Sequence, residues 1–412
     1  MLFRKEGYKM KNVLWLIFCI LVTYPLSVFS GSSIFGLRSQ ALGEYQYPFS
    51  TASMGRGGIN IAFVDSISVN HFNFALWNNL TRSTISLNLG YQNIYSETQT
   101  DNIRSSTANF QGGFLVLPLQ SNKLTLGFGL IPYSQNNIRL ETTQSGQGTA
   151  PIQTVSVSGT ISQAQFALAY KIIPTLSIGL SGNYTFGLIT DQFDIDYSEA
   201  GFGDIFIENR YQIYGAGFGI HSFYDISSRL AAGLTVKFPA TLTLFTEQIS
   251  INTKKTIEEN RKMTIPLHLG TGISYLLTPR WRTGADFHYH TWKEGYKIGS
   301  DPVNNMSNSF RFAIGAEREP ITRRFTSYAE NITWRFGFFI GQLNTMANGK
   351  SVDEIGFGLG IGLPIIKNRN RFDIAFELGK RGSLDVNRRS EIYFRLNFEL
   401  STNELWFIRE ER

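Results

Sequence analysis

The sequence predicts an all-β protein: a transmembrane antiparallel β-barrel of about fourteen strands with an N-terminal plug in its lumen. Three observations carry this. First, Ile355-Gly356-Phe357-Gly358-Leu359-Gly360-Ile361-Gly362-Leu363 alternates large apolar residues with glycine. Strand side chains alternate faces, so one face is a continuous greasy stripe and the other is bare. Second, the alternation recurs in 175–188, 123–130, 214–220 and 392–400, always with the second face small or polar. A soluble sheet buries its apolar face, whereas a barrel turns it to lipid and keeps a polar lumen. These segments approach or exceed the roughly 9–11 residues of a membrane-crossing strand. A β-sandwich or β-helix, the soluble alternative, uses strands of about 5–6 residues. Third, nothing after residue 30 is continuously apolar for 18 residues, so a membrane crossing here is made by strands.

Composition agrees. Among 412 residues, aromatics reach 14% and charged residues only 17%, as expected where much of the outer surface meets lipid. Mean hydropathy is close to neutral, which excludes a helical membrane protein but not a barrel. The formal charge is +6; losing four basic residues and one acid with residues 1–30 leaves +3. Basic residues are scattered, which excludes a nucleic-acid partner.

Residues 1–30 read as a secretory signal peptide. Lys9 and Lys11 precede the apolar core Val13–Val22, and Val28-Phe29-Ser30 supplies a cleavage site before Gly31. Met10 is an alternative start to Met1. The apolar core is too short for a membrane anchor and is broken at Pro25. Cys19, the sole cysteine, falls in the removed segment, so the mature chain has no disulfide or Cys-ligated metal. Residues 31–81, rich in glycine and short apolar pieces, lack the strand rhythm; they form a plug (hatch) or a small periplasmic domain.

Residues 82–402 divide into fourteen strands: 82–97, 106–118, 122–141, 151–171, 174–195, 204–225, 228–250, 260–277, 280–296, 307–318, 325–342, 352–365, 370–380 and 389–402. Tight turns at 119–121, 172–174, 226–227, 278–279 and 367–369 alternate with longer polar loops at 96–105, 144–150, 196–203, 252–259 and 297–306. Short turns at one rim and long loops at the other are the outer-membrane arrangement. An even strand count returns both termini to the periplasm, where 403–412 forms a tail.

Ala52-Ser53-Met54-Gly55-Arg56-Gly57-Gly58, Asp65, and Asn73-Phe74-Ala75-Leu76-Trp77 resemble the hatch of FadL-type outer-membrane transporters. Gly55, Gly57, Gly58, Asp65, Asn73 and Ala75 match the glycine-rich stretch and the Asn-Pro-Ala motif of that family; Phe74 stands where proline is usual. Pro132-Tyr133, Lys237-Phe238-Pro239, Gly362-Leu363-Pro364 and the tail Glu404-Leu405-Trp406-Phe407 extend the likeness, the last toward FadL-like proteins of Bacteroidetes and their relatives. The resemblance implies a plugged fourteen-stranded barrel in the outer membrane that carries hydrophobic small molecules, chiefly long-chain fatty acids. It also implies a ligand pocket at the mature N-terminus, here Ile34 and Phe35. A second reading is a FadL-like, secretion-associated interaction barrel of PorV type that does not transport. Either would be a monomer in contact with outer-membrane lipid.

Alternation in the last five strands turns Arg311, Glu317, Arg335, Asp373, Glu377, Arg395 and Glu399 inward. They either neutralise one another as a wall network that holds the plug, or one arginine meets a substrate carboxylate. Gly356, Gly358, Gly360 and Gly362 are expected to leave room inside or let the wall bend. Gly358→Ser should then be tolerated, and Phe357→Arg or Ile178→Arg not. His288 and His290 share a face with Asp286 and Trp292, a pattern that can bind metal, but no third ligand is evident and no metal is assigned. His221 and His268 stand isolated, and His71 is expected to pack or hydrogen-bond within the hatch. No G-x-S-x-G, no Ser/His pair at useful strand spacing and no nucleotide loop occur, so neither an enzyme nor a cofactor is expected.

Overall fold

The computed structural model of the chain describes residues 32–38, 41–143, 152–197, 204–250, 255–320, 327–366 and 369–404. The signal-peptide expectation for 1–30, the loop at 144–150 and tail residues 405–412 lie outside the described residues. Fourteen antiparallel wall strands close into a barrel. They are β1 (Ser83–Thr98), β2 (Asn102–Gln120), β3 (Leu124–Thr143), β4 (Ile152–Ile173), β5 (Leu176–Asp196), β6 (Ile205–Asp225), and β7 (Leu230–Lys237 continued as Ala240–Ser250). The remainder are β8 (Lys255–Ile265 continued as His268–Thr278), β9 (Trp281–His290), β10 (Ser309–Arg318), β11 (Thr333–Ala347), β12 (Lys350–Ile366), β13 (Asn370–Ser383) and β14 (Arg389–Glu404). Closure is through β14 and β1, in register from Arg389↔Thr98 to Glu404↔Ser83.

The alternation seen in the sequence is the alternation of the wall. On β12, Ile355, Phe357 and Leu359 are 48%, 38% and 49% exposed on the outer face, while Glu354 is buried on the inner one. Trp334, Phe336, Phe338 and Ile340 repeat the pattern on β11. An outer face so apolar is stable only against hydrocarbon. Phe357→Arg is therefore expected to cost about 2–4 kcal/mol at mid-bilayer. Loss of heat-modifiable mobility on gels would report it; unchanged assembly would put this face elsewhere.

The wall departs from the expected rhythm in several places. The ladders of β7 and β8 are interrupted where Pro239 faces Pro266, between the pairs Lys237↔His268 and Ala240↔Ile265. Proline offers no N–H to a ladder, so a rung with one on each side cannot form. The loop expected at 96–105 shrinks to three residues, because β1 reaches Thr98 and β2 starts at Asn102. The strand expected over 280–296 ends at His290 and gives way to a short helix, Trp292–Gly295. The strand expected from 325 starts at Thr333, behind the turn Tyr328–Asn331, which puts a long connection on the rim of tight turns.

A larger opening separates β2 from β3. Their pairing ends at Gly113↔Leu130. Beyond that point β2 stays with β1, and β3 stays with β4 as far as Thr143↔Ile152. Gly112, at φ +139°, and Pro132 stand at the fork. The side chains of Asn109 and Gln135 bridge it, at 2.9 and 3.3 Å. The N-terminal segment covers the freed edge of β3. Glu44 and Tyr45 pair with Gln135 and Ser134, and the Gln46 and Ser32 amides donate to the Tyr133 and Asn137 carbonyls at 2.9 and 2.6 Å.

Candidate functional site

Residues 41–80 are buried almost throughout and touch the inner face of strands around the ring. Helix α1 (Thr51–Gly55) is capped by Ser50, whose Oγ accepts from the Ser53 amide at 3.2 Å. The chain then turns through Gly57 and Gly58, at φ +76° and +103°. A Cβ on Gly57 would lie 2.9 Å from the Phe338 backbone nitrogen, and one on Gly58 2.8 Å from the Phe49 ring. Both the left-handed backbone and the lack of space demand glycine here. Gly55 meets Gly360 Cα at 2.9 Å on the same reckoning. Asn73 Oδ1 accepts from the Ala75 amide at 3.1 Å and caps the turn Phe74–Asn79; its Nδ2 donates to the Ile61 and Ser222 carbonyls. Ala75 is fully buried against Leu76, Phe223 and Ala231.

The glycines of β12 do not leave room for a ligand. A Cβ on Gly358 would lie 2.2 Å from the Met54 carbonyl, and one on Gly356 2.4 Å from the Phe339 ring. At Gly358 and Gly360 backbone of the inner segment fills the space that side chains would have taken, at Gly356 and Gly362 side chains of the wall do, and β12 runs in unbroken register from Glu354 to Pro364. The expectation that Gly358→Ser is harmless is overturned. It should displace Met54, and a fall in thermal stability of the purified barrel checks this.

Inward charges from β10–β14 join charges of the inner segment in two chains. One runs from Asp65 through Arg371, Asp373, Arg335 and Glu317 to Arg56. Its contacts include Arg371–Asp65 at 2.5 Å, Arg371–Asp373 at 2.8 Å and Arg335–Asp373 at 2.6 Å. Glu317 accepts from Arg335 at 2.5 Å and pairs with Arg56. The other links Glu44, Arg381, Glu354, Arg311, Glu377 and Arg395, with Arg381–Glu44 at 2.8 Å and Arg395–Glu377 at 3.0 Å. Burial pushes the Asp65 carboxyl up, but Arg371, with Arg335 and Arg56 behind it, holds it well below the usual aspartate range. All three arginines of the expected set are thus engaged by carboxylates. Glu399 differs: it binds the Thr51 amide and Ser68 Oγ, both at 2.8 Å, and among the described residues it pairs with no arginine. His71 stands 4.0 Å from it and donates to or accepts from Ser86 Oγ at 3.2 Å; burial lowers its imidazole to about 3, so it is neutral. Glu44, Glu354, Arg371, Arg381 and Glu391 were not singled out from the sequence. All but Glu44 sit in phase with the predicted lumen charges, nearer the strand ends.

The histidines are not isolated. His268 stacks on His290 with ring centroids 3.6 Å apart, and its Nε2 lies 3.4 Å from His288 Nδ1. His221 lies between Ser181 Oγ at 2.9 Å and Thr235 Oγ1 at 3.2 Å. Asp286 serves the inner segment instead, accepting from the Asn60 and Ile61 amides at 2.6 and 2.8 Å. Among the described residues no group of three acidic, His or Cys side chains is placed to hold a metal ion.

Two cavities lie beside the inner segment and share Tyr45 and Gln46 in their walls. One is lined by Phe35, Tyr47, Phe49 and Met54 together with Gln111 of β2 and the Arg311–Glu354 pair. Ile34 is buried nearby, its amide donating to Glu391 at 2.8 Å, and does not line the cavity. The other is lined by Pro48, by Ile131, Pro132 and Tyr133 of β3, and by Lys237, Phe238, His268 and His290. Each therefore touches one side of the opening between β2 and β3, a feature that no sequence signal beyond Gly112 and Pro132 announces.

The family model described as BamG matches residues 10–411, and the chain belongs to that family. No curated protein matches. Among solved structures, a Pseudomonas aeruginosa FadL homologue aligns at 11% identity and a TM-score of 0.61, over 88% of this chain and 100% of its own. The monoaromatic hydrocarbon channel CymD aligns at 15% identity and 0.58, over 87% and 98%. The Pseudomonas putida toluene transporter TodX aligns at 13% identity and 0.58, over 87% and 99%. At these identities the likeness establishes a shared FadL-type barrel fold.

Proposed function

We propose that this BamG-family barrel passes small hydrophobic molecules, of fatty-acid type, across the outer membrane, with residues 31–81 as its plug. The observation that carries the reading is the opening between β2 and β3 beside two cavities walled by Tyr45, Tyr47, Phe49 and Tyr133. An apolar molecule is poorly soluble in a hydrated lumen, so a route through an aromatic cavity and a parted wall avoids water. The structural neighbours named as hydrocarbon and toluene channels share the fold, which agrees with this use. The inner charges act as anchors: with their carboxylates and arginines mutually engaged, they hold the plug against β10–β14. Ligand enters beside Phe35 and Tyr45 and moves past Tyr133. The reaction class is transport by a monomer, with no covalent step and no cofactor.

The test is uptake. Proteoliposomes should accumulate a radiolabelled fatty acid and admit little of a polar sugar. Cysteines at Asn109 and Gln135, bridged by a short thiol crosslinker, should abolish fatty-acid uptake, and cleavage of the linker should restore it. Unbridged protein without uptake sinks the transport reading and favours a non-transporting interaction barrel.

A further inference from the structure

On the rim of tight turns, each connection along the arc from β2 to β11 carries a basic residue in it or just before it: Lys123, Lys171, Arg229, Arg280 and Arg318. Backbone bonds tie neighbouring turns together. The Lys171 amide donates to the Lys123 carbonyl, Asp225 to Thr175, Leu276 to Arg229 and Glu319 to Arg280, each at 2.8 Å. The cations thus stand in a fixed row, about 10 Å or two strand spacings apart. Of the acids on the arc, Glu317 turns inward to Arg335 and Arg56, and Glu319 is taken by Arg282 at 3.0 Å. That leaves Asp225 against five cations. The Nε and one terminal nitrogen of Arg280 are buried with no hydrogen-bond partner among the described residues. Guanidinium N–H groups withdrawn from water need an acceptor.

The outer wall beside this row repeats one pattern. Tyr170 and Ile172, Tyr224 and Ile226, and Tyr275 and Leu277 are all exposed, each pair two residues apart at the end of its strand. Outward tyrosines mark the level of the membrane interface, and short turns lie on the periplasmic side. The row therefore stands at the headgroup layer of the periplasmic leaflet, continuous with the lipid-facing wall.

We propose that this arc binds anionic phospholipids of the periplasmic leaflet, with phosphates on the five cations and acyl chains along the tyrosine and aliphatic pairs. A zwitterionic lipid brings its own ammonium to each phosphate, whereas a net negative headgroup answers an unpaired cation. Arg280 is the best equipped of the five, since its planar fork can meet two phosphate oxygens at once. The site lies outside the wall and does not rest on the transport reading.

The test is native mass spectrometry of the mature protein in detergent micelles, titrated with phosphatidylglycerol and, separately, phosphatidylcholine. Wild type should bind phosphatidylglycerol about tenfold or more tightly than phosphatidylcholine. Combined Lys171→Gln, Arg229→Gln and Arg280→Gln should bring the two lipids within about twofold, while Arg280→Lys alone keeps part of the preference. The control removes three exposed lysines from the other end of the barrel, Lys262→Gln, Lys350→Gln and Lys380→Gln, and should keep the wild-type preference. Heat-modifiable mobility confirms that every variant is folded. Equal binding of both lipids by wild type, or equal loss of preference in the control, overturns the proposal. Retention of the full preference by the triple rim variant overturns it as well.

Discussion

Arg335→Met is expected to destabilise the barrel by about 3–5 kcal/mol, the cost of leaving the buried chain of Asp65, Asp373 and Glu317 one cation short. The Arg335 side chain is fully buried, and its guanidinium reaches Glu317 at 2.5 Å, Asp373 at 2.6 Å and Asp65 at 4.0 Å. Removal breaks the middle of the chain from Asp65 to Arg56. Arg56 remains for Glu317 and Arg371 for Asp373, so each acid keeps one contact and loses the second. Arg335→Lys should recover little, because a point charge cannot fork to two acids as guanidinium does. Equilibrium urea unfolding in detergent micelles measures the effect. A change under about 1 kcal/mol for Arg335→Met would mean that water already enters this part of the lumen and screens the pairs.

Much of this architecture is legible in the chain because a membrane imposes a strict period of two. Phe357, Phe336, Phe372 and Ile392 must face hydrocarbon, and that fixes the inward phase of Glu354, Arg335, Arg371 and Glu391 with no further information. Glu354, Arg371, Arg381 and Glu391 obey the rule as strictly as Arg335, so extending the phase to the strand ends finds them. Partners across the lumen are another matter. That Asp65 meets Arg371, or Glu44 meets Arg381, depends on how an irregular segment crosses the interior, and no period governs that path. The β12 glycines carry the same lesson. Their alternation says that the inner face is bare, but both an open channel and a closely applied backbone require bareness; the Met54 carbonyl against Gly358 decides for the second. His268 looked solitary because its partners His288 and His290 lie on the next strand, opposite it in a register that no local signal sets.

Removing residues 31–81 is expected to turn a nearly closed barrel into a wide pore, seen as a severalfold rise in single-channel conductance in planar bilayers. The wall should survive. Its ladders run β1 to β14 and close on themselves; the segment adds to them the short pairing of Glu44 and Tyr45 with β3 and the flanking Ser32 and Gln46 amides. What the segment does fill is the interior: Trp77, Phe63, Phe72, Phe74, Leu42, Ile59 and Ile61 are all fully buried within the ring. Once it is gone, Arg311, Arg335, Arg371 and Arg381 and their wall carboxylates face water, which suits a conducting lumen. A gentler perturbation separates gating from mere filling. Gly57→Val together with Gly58→Val forces β-branched side chains onto positive φ, one against the Phe338 backbone and the other against the Phe49 ring. The segment must lift from β11 while its anchors at Asp65 and Asn73 remain. The double variant should fold, conduct more than wild type but less than the deletion, and lose hydrophobic uptake. Unchanged conductance in the deletion would show that residues 31–81 do not close the pore, and the barrel would then lack the gate that transport requires.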